Sequence, residues 1–139
     1  MDKKYLDIQE DSYLFVYGTL MRDFSHPMHN VLIKFANFVD KAKVNGCLYE
    51  IDGYPGLVLT KESLFVKGEL YRIDDEVRLF EILDDYEECS SKFPKPHEYR
   101  RIITQVFLSD GSIINAWLYE YNHPIDYTKL IASGDYKIK

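Results

Sequence analysis

Tyr13-Leu14-Phe15-Val16-Tyr17-Gly18-Thr19-Leu20 is an apolar run stopped by a glycine. Aromatic and aliphatic side chains without polar alternation predict a short strand buried on both faces. A sharp turn after such a strand can aim successive backbone N–H groups into one concave, anion-binding nest. Gly18 permits backbone conformations that other residues resist, and it leaves room for a ligand against the main chain. Thr19 adds a hydroxyl donor. On these four residues alone an ordinary strand-ending turn is the better account of Tyr17, Gly18, Thr19 and Leu20, so this stretch fixes a strand and not a site.

Working outward, residues 1–12 are polar and read as a loose lead-in. After the turn, Ser25 or His26 can cap a helix with Pro27 in its first turn, and Met28, Val31, Leu32 and Phe35 give it one apolar side. From Phe38 to Leu59 the pattern turns to strands, interrupted by the turn formers Asp52-Gly53-Tyr54-Pro55-Gly56. Leu64 to Ile73 is another strand, in which Gly68 marks a bulge or a close backbone approach. Asp74 is the expected cap of a helix running to about Glu88. Cys89 to Glu98 reads as a loop. Tyr99–Leu108 and Ile113–Tyr121 form strands joined through Asp110-Gly111, a strong hairpin signal. The last eighteen residues carry no firm assignment. The fold class is therefore α+β: one domain over residues 1–139, core 13–121, built as a mixed β-barrel or curled sheet with a few packed helices.

Composition excludes several functions. The net charge of −6 and the absence of any basic run leave no phosphate-neutralising face, so no nucleic-acid partner is expected. No segment reaches membrane-spanning length, so no membrane partner is expected either. Two isolated thiols, Cys47 and Cys89, suit a reducing cytoplasm. His26, His29, His97 and His123 do not form a metal-ligand pattern, and they read as surface or capping residues; no metal and no cofactor is expected. No serine or cysteine lies in a nucleophile elbow. The twelve tyrosines fit half-buried strands around a polar pocket, and a tyrosine-rich core fits them as well.

The carboxylates are more informative. With residues of the second helix about 100° apart, Leu79, Phe80, Leu83 and Tyr86 define one buried stripe. Glu87 falls inside that stripe and Glu88 faces water. A buried carboxylate is costly unless paired or neutral, and desolvation raises its pKa toward the range of a general base. The structural alternatives are a helix that ends before Glu87, or pairing with Arg100 or Arg101. Glu76 also lies on the stripe, but in the first turn the helix dipole explains it.

Phe15-Val16-Tyr17-Gly18-Thr19-Leu20 resembles the YGTL/YGSL signature of the γ-glutamylcyclotransferase-like superfamily, including γ-glutamylamine cyclotransferases and the plant avirulence-induced group. Four further pieces follow in the family's order. They are Val44-x-Gly46-x-Leu48-Tyr49 with Gly53-Tyr54-Pro55-Gly56-Leu57-Val58, then Val66-x-Gly68-Glu69-Leu70-Tyr71, then Leu83-Asp84-Asp85-Tyr86-Glu87, then Tyr99-x-Arg101. Two departures stand out: Glu88 replaces the glycine that many relatives place after the glutamate, and the Cys89–Glu98 loop does not align.

The resemblance implies a compact mixed α/β barrel. It makes Glu87 the catalytic acid/base, and it puts the α-amino-acid end of a small γ-glutamyl substrate on Tyr17, Gly18, Thr19 and Leu20. The expected reaction is release of 5-oxoproline and a free amine. Tyr54 and Tyr99 are candidate wall residues. A non-catalytic metabolite- or protein-binding module on the same barrel is the alternative, and a deblocking enzyme with a different substrate is another. The sequence leaves the oligomeric state open.

Overall fold

A computed structural model describes residues 11–138. The lead-in expected over residues 1–12 lies mostly outside them, and Ser12 already belongs to the first strand. The elements are β1 (Ser12–Val16), α1 (Pro27–Phe35), β2 (Ala36–Ile51), β3 (Tyr54–Leu59), β4 (Phe65–Ile73), α2 (Glu76–Tyr86), β5 (Tyr99–Leu108) and β6 (Ile113–Tyr121). Single 3-10 turns occupy Arg22–Phe24 and Tyr127–Lys129.

The strand order is β3-β2-β4-β1-β6-β5, and β2 also pairs with β5. That second pairing closes β2, β4, β1, β6 and β5 into a five-stranded barrel, with β3 appended to the far half of β2. All pairings are antiparallel except β1 with β6. As its unbroken apolar run predicts, β1 is an inner strand between β4 and β6, with Leu14, Phe15 and Val16 buried.

Several boundaries differ from the sequence reading for local reasons. β2 starts directly at Ala36, because α1 passes into extended backbone there without a turn. Asp75, not Asp74, caps α2 by accepting the Arg78 N–H at 3.1 Å. Asp74 is engaged elsewhere, accepting from Asn37 Nδ2 at 2.6 Å. His26 caps α1 as expected, its Nδ1 accepting the Met28 N–H at 3.1 Å. Of the predicted stripe on α2, Leu79, Phe80 and Leu83 are buried, but Tyr86 is exposed.

Gly68 is the close approach its place inside a strand suggested. A Cβ there would stand 2.2 Å from the Val16 carbonyl oxygen and 2.6 Å from the Phe15 ring. Neither neighbour can yield, since β1 is fixed on both sides. Gly68→Ala is therefore expected to destabilise the fold by about 1–3 kcal/mol, the usual range for overpacking. Urea unfolding checks this, and an unchanged midpoint would show that β1 and β4 separate more easily than their packing implies.

Candidate active site

Four chain segments meet at one end of β1. The strand delivers the loop Tyr17–Leu20, the end of α2 brings Tyr86, Glu87 and Glu88, the start of β5 brings Tyr99 preceded by Glu98, and the start of β3 brings Tyr54 and Pro55. They enclose a cavity of about 250 Å³. Every residue singled out by sequence as a site candidate borders it, as do Tyr54 and Tyr99.

The loop is held by its neighbours. Tyr17 is buried; its hydroxyl donates to the Tyr119 carbonyl and accepts the Leu57 N–H at 3.4 Å. Its phenol is thus a strut between β3 and β6. Met21 N–H donates to the Gly18 carbonyl at 2.9 Å, and the His29 ring donates from Nδ1 to the Leu20 carbonyl at 2.8 Å. The N–H groups of Gly18, Thr19 and Leu20 make no hydrogen bond among the described residues. Gly18 is required for a reason different from the expected one. Its backbone lies outside the left-handed region, but a Cβ would come within 2.5 Å of the Pro55 ring. The loop and the Tyr54-Pro55 turn therefore pack together only through a glycine.

The end of α2 is fixed more firmly. Asp84 takes Arg101 in a two-pronged contact, Nε at 2.9 Å and Nη2 at 3.2 Å, and accepts the Tyr119 hydroxyl at 2.8 Å. The same guanidinium lies 3.9 Å from the Phe80 ring centroid and 4.8 Å from that of Trp117. Cys89 N–H closes the turn on the Asp84 carbonyl at 2.9 Å. Arg100, the other arginine considered for Glu87, grips Glu120 at 2.6 and 2.9 Å. Both arginines are committed, and the Glu87 carboxylate has no hydrogen bond or ion pair among the described residues. The helix does end one residue early, at Tyr86, yet Glu87 N–H still donates to the Leu83 carbonyl at 2.8 Å. Glu87 therefore keeps the angular position the helix would have given it.

Burial pushes the Glu87 carboxyl up to about 8, and the Glu98 carboxylate nearby adds to the rise. The residue as a whole retains some exposure, through the cavity it borders. Tyr54 donates to Glu98 Oε2 at 2.7 Å and Tyr99 to the Pro55 carbonyl at 2.6 Å, so the aromatic wall is pinned as well. Among the described residues no grouping of histidine, cysteine and acidic side chains is arranged to hold a metal ion.

Residues 14–138 match the family model described as gamma-glutamyl cyclotransferase, AIG2-like. The chain belongs to that family. It is 34% identical over 125 residues to the Escherichia coli gamma-glutamylcyclotransferase family protein YtfP, covering 88% of this chain and 94% of that one. The solved structure of Bacillus subtilis YkqA aligns with a TM-score of 0.69 at 28% identity, over 92% of this chain and 40% of that one. A mouse AIG2-like protein shares the fold at a TM-score of 0.69 and 23% identity, over 92% of this chain and 89% of that one. Among the described residues no helix is long and apolar enough to cross a membrane.

Glu98, Asp84, Arg101, Tyr119 and His29 are the site-building residues that sequence reasoning missed. A signal existed for two of them. Asp84 lies in the motif that carries Glu87, and Arg101 ends the Tyr99-x-Arg101 motif; the fold joins these two fragments through that ion pair. The departure at Glu88 also gains a physical meaning, because its φ of +55° lies in the left-handed region that favours glycine.

Two outcomes follow from this geometry. Glu88→Gly removes the strain of a side chain in left-handed backbone and is expected to stabilise the protein by about 1 kcal/mol; a higher urea midpoint checks it. Asp84→Ala strips Arg101 of its partner between two rings and is expected to cost about 2–3 kcal/mol. The same denaturation series measures that loss, and a loss below a few tenths would mean that the clamp does not hold the helix end.

Proposed function

We propose that the protein is a cyclotransferase that releases 5-oxoproline and a free amine from a γ-glutamyl amide or γ-glutamylamine. The observation that carries this reading is the Glu87 carboxylate, desolvated and without a partner, on the wall of the same cavity as the unbonded N–H groups of residues 18–20. A side chain kept only for structure would be paired, as Glu69 and Glu120 are.

The substrate contains its own nucleophile. Glu87, ionised, takes a proton from the α-ammonium. The amine so formed attacks the γ-carbonyl carbon and closes a five-membered ring. As the tetrahedral intermediate collapses, the bond from carbon to the departing nitrogen breaks and Glu87 gives its proton to that nitrogen. The ring nitrogen passes its surplus proton to the carboxylate so regenerated, and from there to water or the freed amine. No other reactant and no cofactor is needed. The N–H groups of Gly18, Thr19 and Leu20 suit the substrate's α-carboxylate, which the nest would hold while amine and carbonyl are brought together. Tyr54 and Tyr99 line the same cavity. A binding-only module on this barrel has no use for an unpaired buried carboxylate, which weighs against that alternative.

The pH dependence is specific. The base form exists only above the Glu87 pKa, so kcat/KM is expected to rise with pH through about 8. Stability runs the other way. Because the folded-state pKa lies above the unfolded one, the folded protein holds the extra proton between the two values, and Glu87 makes stability fall as pH climbs through that window.

Glu87→Gln keeps the shape and removes the base, so 5-oxoproline release is expected to fall by about 10²–10⁴-fold. Its melting temperature should exceed that of the parent, by more at pH 8.5 than at pH 5. Glu88→Gln should change the rate little, since that side chain is exposed at the cavity mouth. The assay is 5-oxoproline production from a panel of γ-glutamyl compounds, run beside thermal unfolding. Near-full activity of Glu87→Gln would defeat the reading, and unfolding of that variant would make Glu87 a structural residue instead.

A further inference from the structure

A second concavity, about 860 Å³ and larger than the active-site cavity, lies on the outer face of the barrel. It shares no residue with the first. Its floor is formed where β2 pairs with β4 on one side and β5 on the other, and the Ser109–Gly111 turn and the segment around Asp135–Lys137 flank it. Two features of that floor are unusual.

The first is charge. Lys43 stands directly opposite Lys67 in the β2–β4 register, and Lys41 follows two residues along on the same face, opposite Glu69. Like charges directly opposite destabilise a sheet. Acid is not in short supply, since the chain carries 23 acidic residues against 17 basic ones. Yet no carboxylate among the described residues pairs with any of the three lysines. Glu69 is paired with Arg22 at 3.2 Å and Asp23 with Lys137 at 2.8 Å, while Asp135 accepts only the Lys137 backbone N–H at 2.9 Å. The charged side chains lining the cleft, Lys41, Lys43, Lys67 and Lys137 against Asp23, Glu69 and Asp135, leave a small positive excess.

The second feature is an aromatic base. Phe65 and Phe107 meet edge to face at 6.1 Å on the outer surface, and Phe65 is 37% exposed. The Lys43 ammonium sits 4.2 Å from the Phe65 ring centroid. Ammonium groups and a partly exposed aromatic pair are thus combined in one cleft.

We propose that this cleft binds a small organic anion with at least two negative charges beside a flat ring, of the nucleoside diphosphate type. The phosphates take Lys41, Lys43 and Lys67, which act as compact point charges, and the ring lies against Phe65 and Phe107. Binding relieves the repulsion between Lys43 and Lys67 that the free protein tolerates.

The test uses the full chain at low ionic strength, with ADP, inorganic pyrophosphate and adenosine as separate calorimetric probes. ADP is expected to bind more tightly than either fragment, and to weaken as salt is added. Lys67→Glu places a carboxylate opposite Lys43. It should weaken ADP by at least tenfold, raise the melting temperature of the free protein by about 1–3 °C, and leave 5-oxoproline release unchanged. Lys43→Gln should weaken ADP similarly should Lys67→Glu fold poorly. Tyr54→Phe, in the other cavity, should bind ADP as the parent does. No binding at millimolar ADP, or binding that Lys67→Glu and Lys43→Gln leave intact, overturns the proposal. So does a wild-type dimer that Lys67→Glu converts to monomer, since the lysines would then face the acidic surface of a second copy.

Discussion

The ion pair between Asp84 and Arg101 is the constraint on which the rest of the site depends. It joins the last turn of α2 to β5, and through the Tyr119 hydroxyl it reaches β6. Phe80 of the helix and Trp117 of the sheet cover the guanidinium from two directions. A charged pair with little access to water and good two-pronged geometry is strong only while it is complete, because each partner left alone is a buried charge. That makes the position of the helix end all-or-none. Glu87 lies three residues beyond Asp84, so the clamp sets where its carboxylate stands. It also commits Arg101 to Asp84, so that arginine is not a partner of Glu87.

Three glutamates show how differently one sequence can treat the same cost. Glu69 is buried on β4 and receives Arg22 through both its backbone N–H and its side chain, together with the Tyr71 hydroxyl. Glu120 is buried on β6 and receives Arg100 and the Leu59 N–H. Each of these ties a loop or an edge to the barrel. Glu87 receives nothing, and its carboxyl is displaced toward neutrality instead. Helical periodicity could place Glu87 on a buried stripe, but it could not tell this third case from the first two. Partnering is a tertiary fact.

The same distinction explains what was legible. The strands, both helices and the hairpin at Asp110-Gly111 were visible because apolar periodicity and turn chemistry are local. The β2–β5 closure was not, since it pairs residues more than sixty positions apart and leaves no local trace. Gly18 was recognised as special for the wrong reason: sequence suggests backbone freedom, whereas the structure shows a proline ring against it. Tyr86 sits on the predicted stripe by angle but at the cavity rim in space, because the helix runs out of core at its last turn. The cap shifted from Asp74 to Asp75 because both residues can cap, and Asn37 on a distant strand had taken the first.

The position of Glu87 at the end of α2 has a further consequence. Carbonyl groups at a helix C-terminus carry partial negative charge, which disfavours a carboxylate there and acts in the same direction as burial and Glu98. A helix stabilised for its own sake would end in a cation and a glycine. This one ends in Glu87 followed by Glu88 in left-handed backbone, so two local preferences are broken at adjacent positions. Paired breaches of that kind persist where the surrounding structure over-determines them, and here the over-determination comes from Asp84, Arg101 and Tyr119. The clamp and the strained turn are therefore one arrangement: rigid, paired charge on the sheet side supports a solitary, proton-exchanging carboxyl on the cavity side.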